Sequence, residues 1–226
     1  MASPSATLKH APIAVLFAAA LFGALTFAGP AARADLIETI DAPNTPMSGF
    51  TGPFATVDIK AIDANHAKIT FTSLTTNGIT FLMSHGGAAD LNVNGAYTLG
   101  KVIEANGLPG FTPTFSANIP GNVGGFGNFN LSLDNTGKYK HSADSIKIHI
   151  SNTTGLWTSD AAVLVSNAGG FNAAMHAFAC TAPCTTSAGA IAKGFAARKV
   201  SEPASLVLLA TALAGISVLY RRRQRG

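Results

Sequence analysis

The middle of this sequence predicts an all-β fold, built as a single β-sandwich domain over residues 35–200. Three observations predict it. Apolar and polar residues alternate in short runs, Gly, Asn and Asp separate those runs at close intervals, and no long stretch carries the period of an amphipathic helix. Alternation matters because successive side chains of a strand point to opposite faces, so a half-buried strand needs apolar residues at every second position.

Taken in order, Thr56-Val57-Asp58-Ile59-Lys60 and Lys68-Ile69-Thr70-Phe71 read as two strands joined by a turn at Asp63-Ala64-Asn65-His66. Ile79 to Met83 and Tyr97 to Ile103 follow, with Asn94-Gly95 before the second of these read as a hairpin turn. Phe129-Asn130-Leu131-Ser132-Leu133 is expected to be one strand. In Ile146-Lys147-Ile148-His149-Ile150 three isoleucines face one way and the polar residues the other. Ala161 to Ser166, Ala173 to Ala179 and Ala190 to Ala197 complete roughly nine or ten short strands. No helix is expected in this middle region.

The formal charge of +4 suggests a basic protein, but its distribution says otherwise. Lys9, Arg33, Arg221, Arg222, Arg223 and Arg225 lie at the two ends, and residues 35–203 keep nine basic against eleven acidic residues, a balance of −2. With no basic stripe interleaved with aromatics, nucleic acid is not expected as a partner. Charged residues make up 12% of the chain, about half the usual quarter. Fourteen Phe still supply a core.

Both ends read as processing signals. Lys9 and His10 precede an apolar run from Ala11 to Ala28, Gly29-Pro30 breaks the helix, and Ala32-Arg33-Ala34 offers small residues where signal peptidase reads them. Residues 1–34 are therefore expected to be a signal peptide cut between Ala34 and Asp35. At the other end Ser201-Glu202-Pro203 is followed by an uncharged run from Ala204 to Tyr220 and then by Arg221-Arg222-Arg223-Gln224-Arg225. Seventeen helical residues span roughly 25 Å, enough for a short transmembrane helix, and the arginines hold their flank in the cytoplasm.

The tail over residues 201–226 resembles the PEP-CTERM sorting signal, in which a Pro-Glu-Pro motif, an apolar helix and an arginine cluster follow one another. Glu202-Pro203-Ala204-Ser205-Leu206 matches, with Ser201 where the first Pro belongs. The resemblance implies recognition and cleavage by an exosortase, a membrane enzyme. The stretch from Leu131-Ser132-Leu133-Asp134 to Gly194-Phe195-Ala196-Ala197 is similar to the β-sandwich portion common among such exported proteins, and that likeness implies no enzyme activity.

Between the signals, candidate chemistry is sparse. Asp90-Leu91-Asn92-Val93-Asn94-Gly95 opens like a calcium loop, with Asp90, Asn92 and Asn94 as the ligands, but Lys101 stands where the loop needs a bidentate Glu. Residues 35–200 are therefore expected to bind calcium no better than millimolar. Cys180 and Cys184 are expected to form a disulfide in an exported chain. His66, His85, His141, His149 and His176 show no metal-binding spacing. Ser84-His85-Gly86-Gly87 resembles an esterase oxyanion loop, yet no G-x-S-x-G nucleophile elbow accompanies it, and a turn is expected. No catalytic residue, metal or cofactor is assigned.

The function expected is that of an exported, non-catalytic surface or extracellular-matrix protein, held briefly in the inner membrane by its tail. Its partners would be signal peptidase, an exosortase and, in the surrounding matrix, exopolysaccharide. The alternatives are an envelope hydrolase or a polysaccharide-binding module with the same tail, for which Trp157, Tyr97 and Tyr139 would be the stacking candidates. Core packing is the expected role of Trp157.

Overall fold

A computed structural model describes residues 35–135, 137–153 and 157–200. The expected signal segment 1–34 with its Ala34 junction, and the tail 201–226 with its Ser201-Glu202-Pro203 motif and arginines, lie outside the described residues, as do Thr136 and residues 154–156.

The strands in chain order are β1 (Leu36–Ile40), β2 (Ala42–Pro43), β3 (Ala55–Ala61), β4 (His66–Ser73), β5 (Thr75–Thr76), β6 (Ile79–Met83), β7 (Ala89–Leu91) and β8 (Tyr97–Ala105). They continue as β9 (Phe115–Asn118), β10 (Gly121–Val123), β11 (Gly127–Phe129), β12 (Leu131–Asn135), β13 (Ser145–Asn152), β14 (Phe171–Thr181) and β15 (Ala192–Lys199). Helical structure among the described residues is confined to three-residue 3-10 turns, so the domain is all-β.

The first sheet is open and antiparallel, in the order β1-β3-β4-β13-β8. Its register follows from the alternation: Ile59 lies opposite Ile69, Phe71 opposite Val57 and Ile146, and Ile148 opposite Ile69. These side chains share one face and are fully buried. The second sheet runs β2-β15-β14-β7-β12-β9, with β6 also on β14 and β5 on β6. Leu91, Leu131, Leu133, Ala173, Met175 and Ala177 turn inward from it and join the first sheet's residues in one core.

Three expected elements differ. Ala161 to Ser166 is not a strand: Asp160–Ala162 is a 3-10 turn, and Leu164 makes only an isolated bridge to Val93. The Asp160 carboxylate is drawn into the fold instead, its Oδ1 accepting the Ala61 N–H at 2.7 Å. The expected strand Phe129–Leu133 is two, because β11 pairs with β10 while β12 pairs with β7 and β9. Asn130 makes the break, its Oδ1 accepting the Val93 N–H and its Nδ2 donating to the Val93 carbonyl, both at 2.8 Å.

Asn94-Gly95 is not a hairpin either. β7 before it belongs to the second sheet and β8 after it to the first, so the turn carries the chain across the core. Asn94 is held there by its N–H and Nδ2 on the Val163 and Ala162 carbonyls, while its own carbonyl accepts the Trp157 Nε1–H at 3.1 Å. The two-residue Asn-Gly hairpin is Asn77-Gly78, between Thr76 and Ile79 of β5 and β6. Both of its residues have positive φ, 51° and 76°, as a type I′ turn requires.

Phe71 is fully buried between β3 and β13. Phe71→Ala is expected to cost about 3–5 kcal/mol of unfolding free energy, measured by denaturant titration of far-UV circular dichroism. A loss below about 1 kcal/mol would mean that the core closes over the missing ring.

Candidate functional site

Strand β14 has a second face. Met175, Ala177 and Ala179 point to the core, and Ala174, His176, Phe178 and Cys180 therefore point outward. That outer face is covered at two places. Val123, Phe126 and Phe129 close over Ala174 and Ala197, and Phe111 and Cys184 close over Leu82 and Cys180. Between the two patches sits a polar group of residues.

β6 and β7 both pair with the same edge of β14, Met83 opposite Ala177 and Asp90 opposite Ala174. The segment Ser84–Ala88 between them leaves the ladder and is tied to His176 on one side and to β12 on the other, where Ala88 N–H donates to the Leu133 carbonyl at 2.8 Å. Ser84 N–H donates to the His176 carbonyl at 3.1 Å, and His176 N–H donates to the Gly87 carbonyl at 2.7 Å. His176 Nδ1 also meets the His85 carbonyl, and its ring stacks on Phe195 with centroids 4.5 Å apart.

The loop crosses over two carboxylates. Gly86 N–H donates to Asp134 Oδ1 at 2.8 Å, and His85 Nδ1 lies 2.9 Å from the same oxygen. A Cβ on Gly87 would stand 2.6 Å from Asp90 Oδ2, and Gly87 has φ 102°, so no other residue fits without displacing the carboxylate. On β12, Ser132 lies directly opposite Asp90, and Asp134 two residues on is its diagonal neighbour, about 7 Å away across the strands. Asp90, Ser132 and Asp134 line a cavity of about 170 Å³ beneath Asn122 and Val123.

Asp90 is fully buried and neither of its oxygens has a well-formed hydrogen bond. Burial pushes its carboxyl up to about 8; the neighbouring Ser132 hydroxyl pulls the other way and the charge of Asp134 adds to the rise. Glu104, on β8, behaves alike: burial, then Asp134, push it to about 7, and both of its oxygens lack partners. Burial lowers His176, which favours its neutral ring.

The sequence-derived candidates are distributed differently. Asn92 and Asn94 do not join Asp90; their side chains donate to the Val165 and Ala162 carbonyls. The Ser84-His85-Gly86-Gly87 loop and Asp90, unrelated in the sequence reading, meet here. Ser132 and Asp134 carry no motif, and their alternation with Leu131 and Leu133 is the one signal in the sequence that places them together on a face. No group of three or more His, Cys, Asp or Glu among the described residues has metal-ligand spacing. Cys180 and Cys184 are joined by a disulfide with Cα atoms 5.5 Å apart. Trp157 is fully buried, and Tyr97 Oη donates to the Asn130 carbonyl. His66 pairs with Asp63, and His141 with the Thr112 carbonyl. No known protein family, curated protein or solved structure matches the chain.

A charge held off Asp90 makes stability depend on pH. The folded chain keeps this proton up to about pH 8, whereas the unfolded chain releases it near the ordinary 3.8. Within that window the folded state binds the extra proton, so stability falls as pH rises, by about 1.4 kcal/mol per unit from this group. Denaturant unfolding in buffers free of divalent ions is expected to show the fall, and Asp90→Asn to reduce it, with the share of Glu104 remaining below about pH 7. Gly87→Ala is expected to cost about 1–3 kcal/mol in the same assay through its positive φ and the contact with Asp90.

Proposed function

We propose that this chain is an exported, non-catalytic surface or extracellular-matrix protein whose β-sandwich is sorted and processed through its C-terminal tail by an exosortase-type enzyme. The single observation that carries the reading is the tail itself. Glu202-Pro203, the uncharged run Ala204 to Tyr220 and the arginine cluster stand in the order and spacing of a PEP-CTERM signal.

Several features of the domain support it. The strands run from Leu36 to Lys199, between the expected peptidase junction at Ala34-Asp35 and the expected sorting motif, so both cuts would leave the sheets whole. The Cys180–Cys184 disulfide suits an oxidising destination. Trp157 packs in the core and offers no platform for a sugar ring.

Processing predicts two masses. Protein recovered from cells and medium of a host with a working exosortase is expected to begin at Asp35 and to end near Pro203, read by N-terminal sequencing and intact-mass spectrometry. Changing Glu202 and Pro203 together to Ala should leave an uncut species in the membrane fraction. Recovery of only full-tail protein would reduce the tail to a plain membrane anchor.

A further inference from the structure

We propose that Asp90 and Asp134, with the Ser132 hydroxyl, form a calcium site on the outer face of the second sheet. The two carboxylates lie diagonally across adjacent strands and line one cavity with Ser132. Neither oxygen of fully buried Asp90 has a well-formed hydrogen bond. An ionised carboxylate in that position is strongly disfavoured unless a positive charge faces it. None of the residues lining the cavity is Lys or Arg, and His85 is engaged with Asp134 Oδ1.

The donor set selects the ion. Carboxylate and hydroxyl oxygens suit a hard cation, and with no thiolate or imidazole in the cavity wall a transition metal lacks its preferred ligands. The cavity of about 170 Å³ has room for an ion and several waters at roughly 30 Å³ each, which completes the six to eight oxygens that calcium takes. Magnesium needs a stricter octahedron and gives up its waters reluctantly, so calcium is favoured over it.

This site shares Asp90 with the loop read from the sequence, but nothing else. The chain-local ligands Asn92 and Asn94 are replaced by residues brought in by β12. The inference does not depend on how the tail is processed.

The test is calorimetric titration of calcium chloride into the full chain, stripped with a chelator and held in a mild detergent. One calcium per chain is expected, with a Kd of about 10⁻⁴–10⁻³ M, the range of extracellular modules, and with magnesium at least about tenfold weaker. Asp90→Asn, which keeps the shape of the neutral side chain, should weaken calcium about tenfold or more while leaving the far-UV circular dichroism unchanged. If that variant does not fold, Asp134→Asn at the half-open side carries the same expectation. Absence of binding up to about 10 mM calcium, an equal response to magnesium, or binding unaltered in the folded variant would each overturn the site.

Discussion

Strand β14 is buried on both faces, and the rest of the domain is arranged around that constraint. Its inward residues are Ala173, Met175, Ala177 and Ala179, which let the two sheets approach across one core. Its outward residues need a cover of their own, and two patches built on Phe126 and Phe129 and on Phe111 and the Cys180–Cys184 loop provide it. A sheet with one face in water would need neither. The disulfide therefore has a packing role: it fixes a loop over Leu82 at the end of the sheet, where a loop closed over so few residues adds little chain-entropy stabilisation.

Polar contacts tie the layers where apolar packing alone leaves orientation loose. Glu38 on β1 accepts from Asn172 Nδ2 at 3.0 Å and faces Arg198 Nε at 3.1 Å, which joins the first sheet to β14 and β15 of the second. Burial raises the Glu38 carboxyl above its ordinary range, while the hydrogen bond from Asn172 and the charge of Arg198 hold it down. The trio is thus a compensated buried charge. Asp160 serves a similar purpose on the other side, accepting the Ala61 N–H as β3 ends.

Asp90 has no such compensation, and this sets the outer-face cavity apart. The excursion Ser84–Ala88 lays glycine backbone across Asp90 and anchors to Asp134 and His176, so strand register, loop path and carboxylate position are one linked arrangement. Natural folds keep polar groups in such positions when they are satisfied or when they have work to do.

The sequence by itself determined the half-buried strands. Ile146, Ile148 and Ile150 could sit only on one face, and Val57, Ile59, Ile69 and Phe71 had to meet them, because a period of two leaves no other way to hide them. What the sequence did not determine was which strands become neighbours. Asn94-Gly95 and Asn77-Gly78 carry the same turn chemistry, yet only the second is a hairpin, because the flanks of the first are taken by different sheets. Ser132 and Asp134 read as solvent-facing positions until a third layer of loops covers them. Asp90 became part of a site only when β7 paired with β12, a contact between residues more than forty positions apart that no local pattern encodes.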